Sequence, residues 1–230
     1  MGITQLPEEC ISHIISFTSP KDACRSSLVC PLFKSAIDSD VVWRKFLPHD
    51  CHQILLNSAL ASSMDTFSKK QLFFHLSDHP IIIDSDKNMS FKIEKESGKK
   101  CYMFGARRLS IIWGDTPVYW RWTAIAAGSR LKEHRGGFRR NPVEFRVYFE
   151  GDEEAHGDGS GHSVSLDPED EQQLIRDRGD GWMEVEMGEF FNDGGEDHRV
   201  VVCSLMETDD YIGKSGLVVE GIEFRPKSGR

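Results

Sequence analysis

The chain has 230 residues, of which 39% are hydrophobic and 10% aromatic, enough to build at least one apolar core. Its 37 acidic and 28 basic residues give a net charge of -9, which makes nucleic acid an unlikely partner because binding to the phosphate backbone relies on cationic surface. No apolar run is long enough to cross a bilayer, and Glu8 and Glu9 interrupt the stretch where a signal peptide would be apolar. We therefore expect no membrane partner and a protein that stays inside the cell.

The first helix is predicted after Pro7, which suits the first turn of a helix because its missing N–H would be unpaired there in any case. Glu8 and Glu9 are favourable near the positive end of the helix dipole. Ile11 and Ile14 then fall on one face of the helix. This helix has an apolar face, in a segment too short to bury it within its own residues.

Further short helices are predicted up to residue 47. Ser19 is placed to cap a second helix that begins at Pro20, with Asp22 reaching back to the cap. Pro31 stops or kinks the chain. Residues 38–40 then open another helical turn, which carries Trp43 and Phe46.

Residues 48–80 form a predicted connector with one helix at residues 69–76. From residue 81 onward, short apolar runs alternate with Gly, Asp, Asn and Ser clusters, a pattern typical of antiparallel β-structure. The clearest alternation is at residues 143–149, which suits a half-buried strand. The other predicted strands lie near residues 81–83, 101–104, 109–113, 182–187, 200–205 and 217–224.

The N-terminal pattern is Leu-Pro-x-x-x-Ile, then a capped helix with Leu-Val, then a Trp-x-x-Phe helix. This order resembles the F-box, over residues 1–47. The resemblance implies binding to the adaptor subunit of an SCF-type E3 ubiquitin ligase and, through it, to a cullin, because the adaptor's helices would cover the apolar face. The match is carried by Asp22 together with the predicted adaptor-binding residues, which are Leu6, Pro7, Ile11, Ile14, Leu28, Val29, Trp43 and Phe46. The alternative is a helical cap that packs on the chain's own sheet.

Residues 113–122 hold three of the five tryptophans, at Trp113, Trp120 and Trp122. A tryptophan face is flat, apolar and carries negative quadrupole charge, so it suits the C–H face of a pyranose ring. Nearby carboxylates would then fix the sugar hydroxyls. The alternative is that these tryptophans fill the core of a sandwich.

Residues 99–122, 181–191 and 214–226 resemble the phloem protein 2, or Nictaba-like, lectins of plants. The resemblance implies an α+β chain: a small all-α F-box, the helical connector and, at residues 81–230, an antiparallel β-sandwich of jelly-roll type. It also implies binding of chito-oligosaccharides or N-glycan cores. The spacing of Trp113 and Trp120 matches the sugar-binding tryptophans of the family, and Glu189 and Glu196 are the acidic partners that we nominate.

The chain departs from this family between the tryptophan-rich stretch and Val143. Residues 123–141 offer only TAIAAGSRLKEHRGGFRRN, whereas the family has several dozen more residues that form central strands. The sandwich is therefore expected to be internally shortened. Loss of central strands would leave strand edges unpaired.

No enzyme motif, nucleotide-binding loop or zinc signature is present, so we expect no catalytic residues, no cofactor and no metal. A metal site at His156, Asp158 and His162 would lie in a glycine-rich loop without preorganised geometry, and the basic residues 135–140 lack the interleaved aromatic residues that favour RNA contact. Three functions remain in competition: an SCF receptor for glycans or glycoproteins, an SCF receptor for protein surfaces, and an intracellular lectin outside SCF. The expected location is the nucleus and cytoplasm.

Overall fold

A computed structural model of the chain describes residues 6–123, 142–151, 161–166, 175–192, 199–207 and 213–227. The chain divides into two compact units, one of Met1–Tyr119 with Val219–Arg230 and one of Trp120–Val218. The first unit holds the helices α1 (Glu8–Ile15), α2 (Pro20–Ser26), α3 (Pro31–Asp38), α4 (Asp40–Phe46), α5 (Cys51–Leu55) and α6 (Lys69–Asp78). The strands are β1 (Ile81–Ile82), β2 (Met89–Ile93), β3 (Lys100–Gly105), β4 (Val143–Phe149), β5 (His162–Val164), β6 (Ile175–Asp177), β7 (Met183–Val185), β8 (Val201–Met206) and β9 (Gly221–Phe224).

Side-chain caps explain where several helices begin. The Ser19 hydroxyl accepts the Asp22 N–H at 3.1 Å and donates to the Asp22 carboxylate at 2.8 Å, so the predicted cap is confirmed. Ser39 caps α4 in the same way, by accepting the Val41 N–H. Pro31 occupies the first turn of α3, so it begins a helix after α2 has already ended.

The first unit is built around Trp43, whose side chain is completely buried. Its indole N–H donates to the Ile37 carbonyl at 2.6 Å, and its ring lies 5.1 Å from both the Phe73 and Phe74 rings. The same buried cluster extends to Phe91 and Ile93 on β2. The helices and the first strands therefore share one core that crosses the predicted boundary at residue 80.

The first unit contains an antiparallel sheet with the strand order β1-β2-β3-β9. Asp84 fixes the turn after β1 by accepting the N–H groups of Asn88 and Met89 at 3.0 and 2.9 Å and by pairing with Arg108. Burial alone would raise the pKa of Asp84, but these donors outweigh it and hold the pKa below its ordinary value. Asp84 thus stays ionised and keeps its turn intact at neutral pH.

The second unit contains β4 between β5 and β8, and a separate pair of β6 with β7. All of these pairings are antiparallel. The buried side chains here are Val143, Phe145, Val164 and Leu166, and Gly188 packs closely against Val147.

The α+β class with antiparallel sheets is confirmed, as are the strands at residues 143–149 and 201–206. The strand predicted at residues 109–113 is wrong. The chain there forms a short 3-10 helix, Ala106–Arg108, and then a series of turns. Each turn is closed by a 2.9 Å hydrogen bond to the carbonyl three residues earlier, and the donors are the Gly114, Thr116 and Tyr119 N–H groups. Turns form here instead of strand pairing because Gly114, Asp115 and Pro117 follow the apolar run and favour turns.

We expect Trp43→Ala to lower the free energy of unfolding of the first unit by about 3–5 kcal/mol, since it leaves a cavity and an unpaired Ile37 carbonyl. Val118→Ala, at an exposed turn, should change it by less than about 0.5 kcal/mol. Urea unfolding followed by far-UV circular dichroism makes the comparison. Equal losses in the two variants would contradict the central role of Trp43.

Candidate functional site

The predicted adaptor-binding residues separate into two groups. Ile11, Trp43 and Phe46 are buried in the core of the first unit, so in the free chain they stabilise the packing of the helices. Leu6 is half-buried and packs against the same core. The exposed members are Pro7, Ile14, Leu28 and Val29.

Leu28 and Val29 are the most open of these side chains, at 85% and 67% exposed. They follow the end of α2, where the Leu28 and Val29 N–H groups bond to the Arg25 and Ser26 carbonyls at 3.1 Å. Those bonds continue the helical turn and hold two consecutive apolar side chains toward solvent. Because no described residue of the first unit covers them, they are suited to contact another protein.

Phe17 is a further exposed apolar residue, although it was not among the adaptor-binding residues predicted from the sequence. It lies just after α1, is exposed, and meets the His13 ring edge-on at 4.9 Å. We call Ile14, Phe17, Leu28 and Val29 together the F-box apolar set. Its sequence signal was the apolar pattern of α1, which continues to Phe17, two residues past the helix end.

A buried hydrogen bond joins α1, which carries Ile14 of the F-box apolar set, to α3. The Ser12 hydroxyl donates to the Ala36 carbonyl at 2.9 Å and so joins α1 to α3. Ser35 on α3 also donates to the Glu8 carboxylate at 2.8 Å. The exposed apolar residues of α1 therefore project from a fixed frame, which lowers the entropy lost when a partner binds.

The second candidate site is the turn at residues 111–119, which we call the aromatic turn. Trp113 is 65% exposed and has a positive φ of 55°, a backbone conformation that non-glycine residues seldom adopt. Its ring stacks on Tyr119, with centroids 5.0 Å apart and planes at 28°. The turn therefore presents a rigid, exposed aromatic pair.

The remaining nominated sugar-binding residues belong to the second part of the chain. Trp120 is half-buried and is the first residue of the second unit. Glu189 is exposed in the same unit, whereas Glu196 lies outside the described residues. The structure thus joins Trp113 to Tyr119, a pairing that the tryptophan spacing did not indicate because only the turn brings those residues together.

Among the described residues, the cysteines and the possible metal ligands add no further candidate site. Burial raises the pKa of Cys51 and of Cys101 to about 11, so both thiols remain protonated at neutral pH. Within the same residues no group of three or more His, Cys, Asp or Glu side chains is arranged to hold a metal ion. His162 bonds to the Glu186 carbonyl at 2.8 Å, and His156 and Asp158 lie outside the described part of the chain, as do residues 135–140. No described helix has the length and apolar character needed to cross a membrane.

Comparison with known families gives two matches along the chain. The F-box domain matches residues 3–45, and Phloem protein 2 matches residues 99–135 and 127–226. The second match therefore consists of two segments that overlap at residues 127–135. No solved structure matches the chain.

Several curated proteins of Arabidopsis thaliana are similar to nearly the whole chain. F-box protein PP2-B10 is 38% identical over 259 aligned positions, which cover 96% of this chain and 92% of that protein. Putative F-box protein PP2-B2 is 38% identical, covering 96% and 82%, and F-box protein SKIP3 is 34% identical, covering 97% and 88%. The chain therefore belongs to the plant F-box proteins with a phloem protein 2 domain, which are substrate-recognition proteins of the SCF type.

Proposed function

We propose that this chain recruits glycans or glycoproteins to an SCF-type E3 ubiquitin ligase in the nucleus and cytoplasm. Its F-box apolar set binds the adaptor subunit, and the adaptor joins it to a cullin. Its phloem protein 2 domain, which we place at residues 81–230, recognises the carbohydrate. The chain itself carries no catalytic residue, and ubiquitin transfer is performed by its partners.

The observation that carries adaptor binding is the exposure of the F-box apolar set above a well-buried core. Leu28 and Val29 are exposed side by side, whereas Ile11 and Trp43 beneath the helices are covered. A few exposed apolar anchors on a rigid frame supply most of the affinity of a helical interface. The helices pack on the chain's own sheet through Phe91 and Ile93, and the exposed anchors outside that shared core are left for an intermolecular partner.

The aromatic turn supports carbohydrate recognition. Trp113 offers an open ring face that Tyr119 holds in place, and a pre-oriented aromatic ring binds a pyranose without first losing side-chain freedom. A receptor for protein surfaces would use the same exposed residues as apolar anchors. Titration with a defined sugar separates these two functions.

We also propose that the phloem protein 2 domain is internally shortened near residues 123–141. The two overlapping matches, 99–135 and 127–226, meet in that region. In addition, the 259 positions aligned with the first relative exceed the 230 residues of this chain, so part of the relative's sequence faces a gap. Both observations favour a loss of residues within the domain.

We expect Leu28→Asp with Val29→Asp to abolish co-purification with the adaptor subunit, since each carboxylate would lose hydration in an apolar interface. The affinity should fall by more than about thirtyfold, a typical cost of losing interface hot spots. Co-expression followed by affinity purification and calorimetry measures this loss.

The matched control is Val118→Asp, which places the same charge at an exposed apolar residue of the aromatic turn. It should retain the adaptor fully. Retention of the adaptor by the Leu28 and Val29 double variant would defeat the F-box part of the proposal.

We expect chito-oligosaccharides to produce a saturable change in tryptophan fluorescence of the full chain, and Trp113→Ala to weaken that binding at least about tenfold, or about 1.4 kcal/mol. Trp122→Ala serves as the control because Trp122 was not nominated for sugar contact. A folded chain with no response to sugar would favour the receptor for protein surfaces. Sugar binding without adaptor binding would favour a lectin outside SCF.

A further inference from the structure

Trp113 has a backbone conformation that is unusual for a bulky residue. It is the third residue of a turn closed by the 2.9 Å hydrogen bond from the Gly114 N–H to the Ile111 carbonyl, and its φ is 55°. A positive φ at the third position of a turn normally belongs to Gly or Asn, because a larger side chain strains the backbone there. The aromatic turn nevertheless has a tryptophan at this position.

Burial does not compensate for this strain. Trp113 is largely exposed and belongs to neither buried cluster of the described residues. Its one ring contact among those residues is the stack on Tyr119, which covers one face of the indole. Strain that is kept at an exposed side chain points to function. The face of Trp113 that Tyr119 leaves open is therefore the surface where a ligand would bind.

Asp115 is the acidic residue of the same turn. The Thr116 N–H bonds to the Trp113 carbonyl at 2.9 Å, so Trp113 and Asp115 are the first and third residues of one four-residue turn. The ends of such a turn lie less than about 7 Å apart, so the two side chains leave the backbone close together. Asp115 is exposed, and its carboxylate has no hydrogen bond or ion pair with any described residue. Both of its oxygens are therefore open to a ligand.

The position of Asp115 distinguishes it from the carboxylates nominated through the family resemblance. Glu189 belongs to the second unit and already has a contact of its own, whereas Asp115 belongs to the first unit together with Trp113 and Tyr119. A carboxylate on the same short turn as the ring is held near it before any ligand arrives. Such pre-organisation lowers the entropy lost on binding.

We propose that Asp115 binds two neighbouring hydroxyl groups of the sugar ring that stacks on Trp113, so that the aromatic turn selects the unsubstituted, non-reducing end of a chito-oligosaccharide. This inference rests on the proposed carbohydrate recognition. An ionised carboxylate accepts hydrogen bonds through both oxygens, and two adjacent hydroxyls donate one each. Asp115 thus determines which ring of the glycan is bound.

The covalent structure of the glycan decides which ring fits this carboxylate. In a β-1,4-linked chain of N-acetylglucosamine, the acetamido group occupies position 2 of every ring, and the next sugar occupies position 4 of every internal ring. Only the non-reducing terminal ring keeps two adjacent free hydroxyls, at positions 3 and 4. A site that fixes the hydroxyls through one carboxylate therefore favours that terminal ring.

The exposure of the turn predicts how affinity depends on glycan length. Ile112 and Val118, which flank Trp113 and Tyr119 in the sequence, are exposed as well, so the turn offers one open platform. An open platform contacts one sugar ring, whereas an extended groove contacts several. The affinities for chitobiose and chitotetraose should therefore agree within about threefold.

Isothermal titration calorimetry of the full chain with N-acetylated chitotriose tests the proposal. We expect Asp115→Asn to weaken binding at least about tenfold, because it removes hydrogen bonds to a charged group. Asn favours turns as Asp does, so the variant should keep the local fold. Asp86→Asn removes the same charge from an exposed residue of another turn, and it should bind the trisaccharide as the unchanged chain does.

A second ligand separates hydroxyl binding by Asp115 from a role in shaping the turn. Chitotriose that lacks the 4-hydroxyl of its non-reducing ring should bind the unchanged chain at least about fivefold more weakly. This difference should disappear in Asp115→Asn, because the hydroxyl and the carboxylate are partners in one interaction.

The outcomes distinguish this inference from the proposed function. Full binding by Asp115→Asn, equal binding of the two trisaccharides by the unchanged chain, or a difference that persists in Asp115→Asn would overturn the role of Asp115 and leave carbohydrate recognition intact. A folded chain that binds neither trisaccharide would overturn the proposed carbohydrate recognition and this inference together.

Discussion

The hydrogen bond from the Trp43 indole to the Ile37 carbonyl is the contact on which the first unit depends. It joins α4 to the end of α3, and the Trp43 ring then packs on Phe73 and Phe74 of α6. Because β2 contributes Phe91 and Ile93 to the same core, the helices and the first sheet stabilise one another. The F-box apolar set is thus exposed on a frame that is rigid without a partner, which favours fast and specific docking.

The sequence predicted elements best where a local interaction decides the structure. The cap at Ser19 needs only neighbouring residues, and the regular alternation of residues 143–149 indicates a strand whichever strands pair with it; both are present. The predicted strand at residues 109–113 failed because an apolar run does not reveal whether a partner strand is available, and the turn bonds of Gly114 and Thr116 formed instead. β2, β5 and β6 were missed because their short or mixed sequences give a weak pattern, although each pairs with a strand that is its neighbour along the chain.

The candidate sites show a similar limit. The apolar pattern of the F-box identified Ile11 and Ile14 together, but which of them faces the core depends on how α3 packs against α1, a tertiary property. Sequence spacing likewise paired Trp113 with Trp120, whereas the turn stacks Trp113 on Tyr119. Residue type and spacing therefore nominated side chains within a few residues of the exposed ones, and the packing determined which of them are exposed.

The order of the two units along the chain explains why the first unit would tolerate the proposed loss of residues near 123–141. The first unit is completed by β9, which returns to β3 from beyond residue 218, so the second unit is an insertion in the first. Gly221 allows this closure, because a side chain there would meet the Phe104 carbonyl oxygen. The shortening proposed near residues 123–141 would remove nothing from the core around Trp43, and its cost would fall on the sheets of the second unit. The proposed shortening would account for the exposure of Leu205 on β8, since an apolar face that loses its covering strand remains exposed unless another chain covers it.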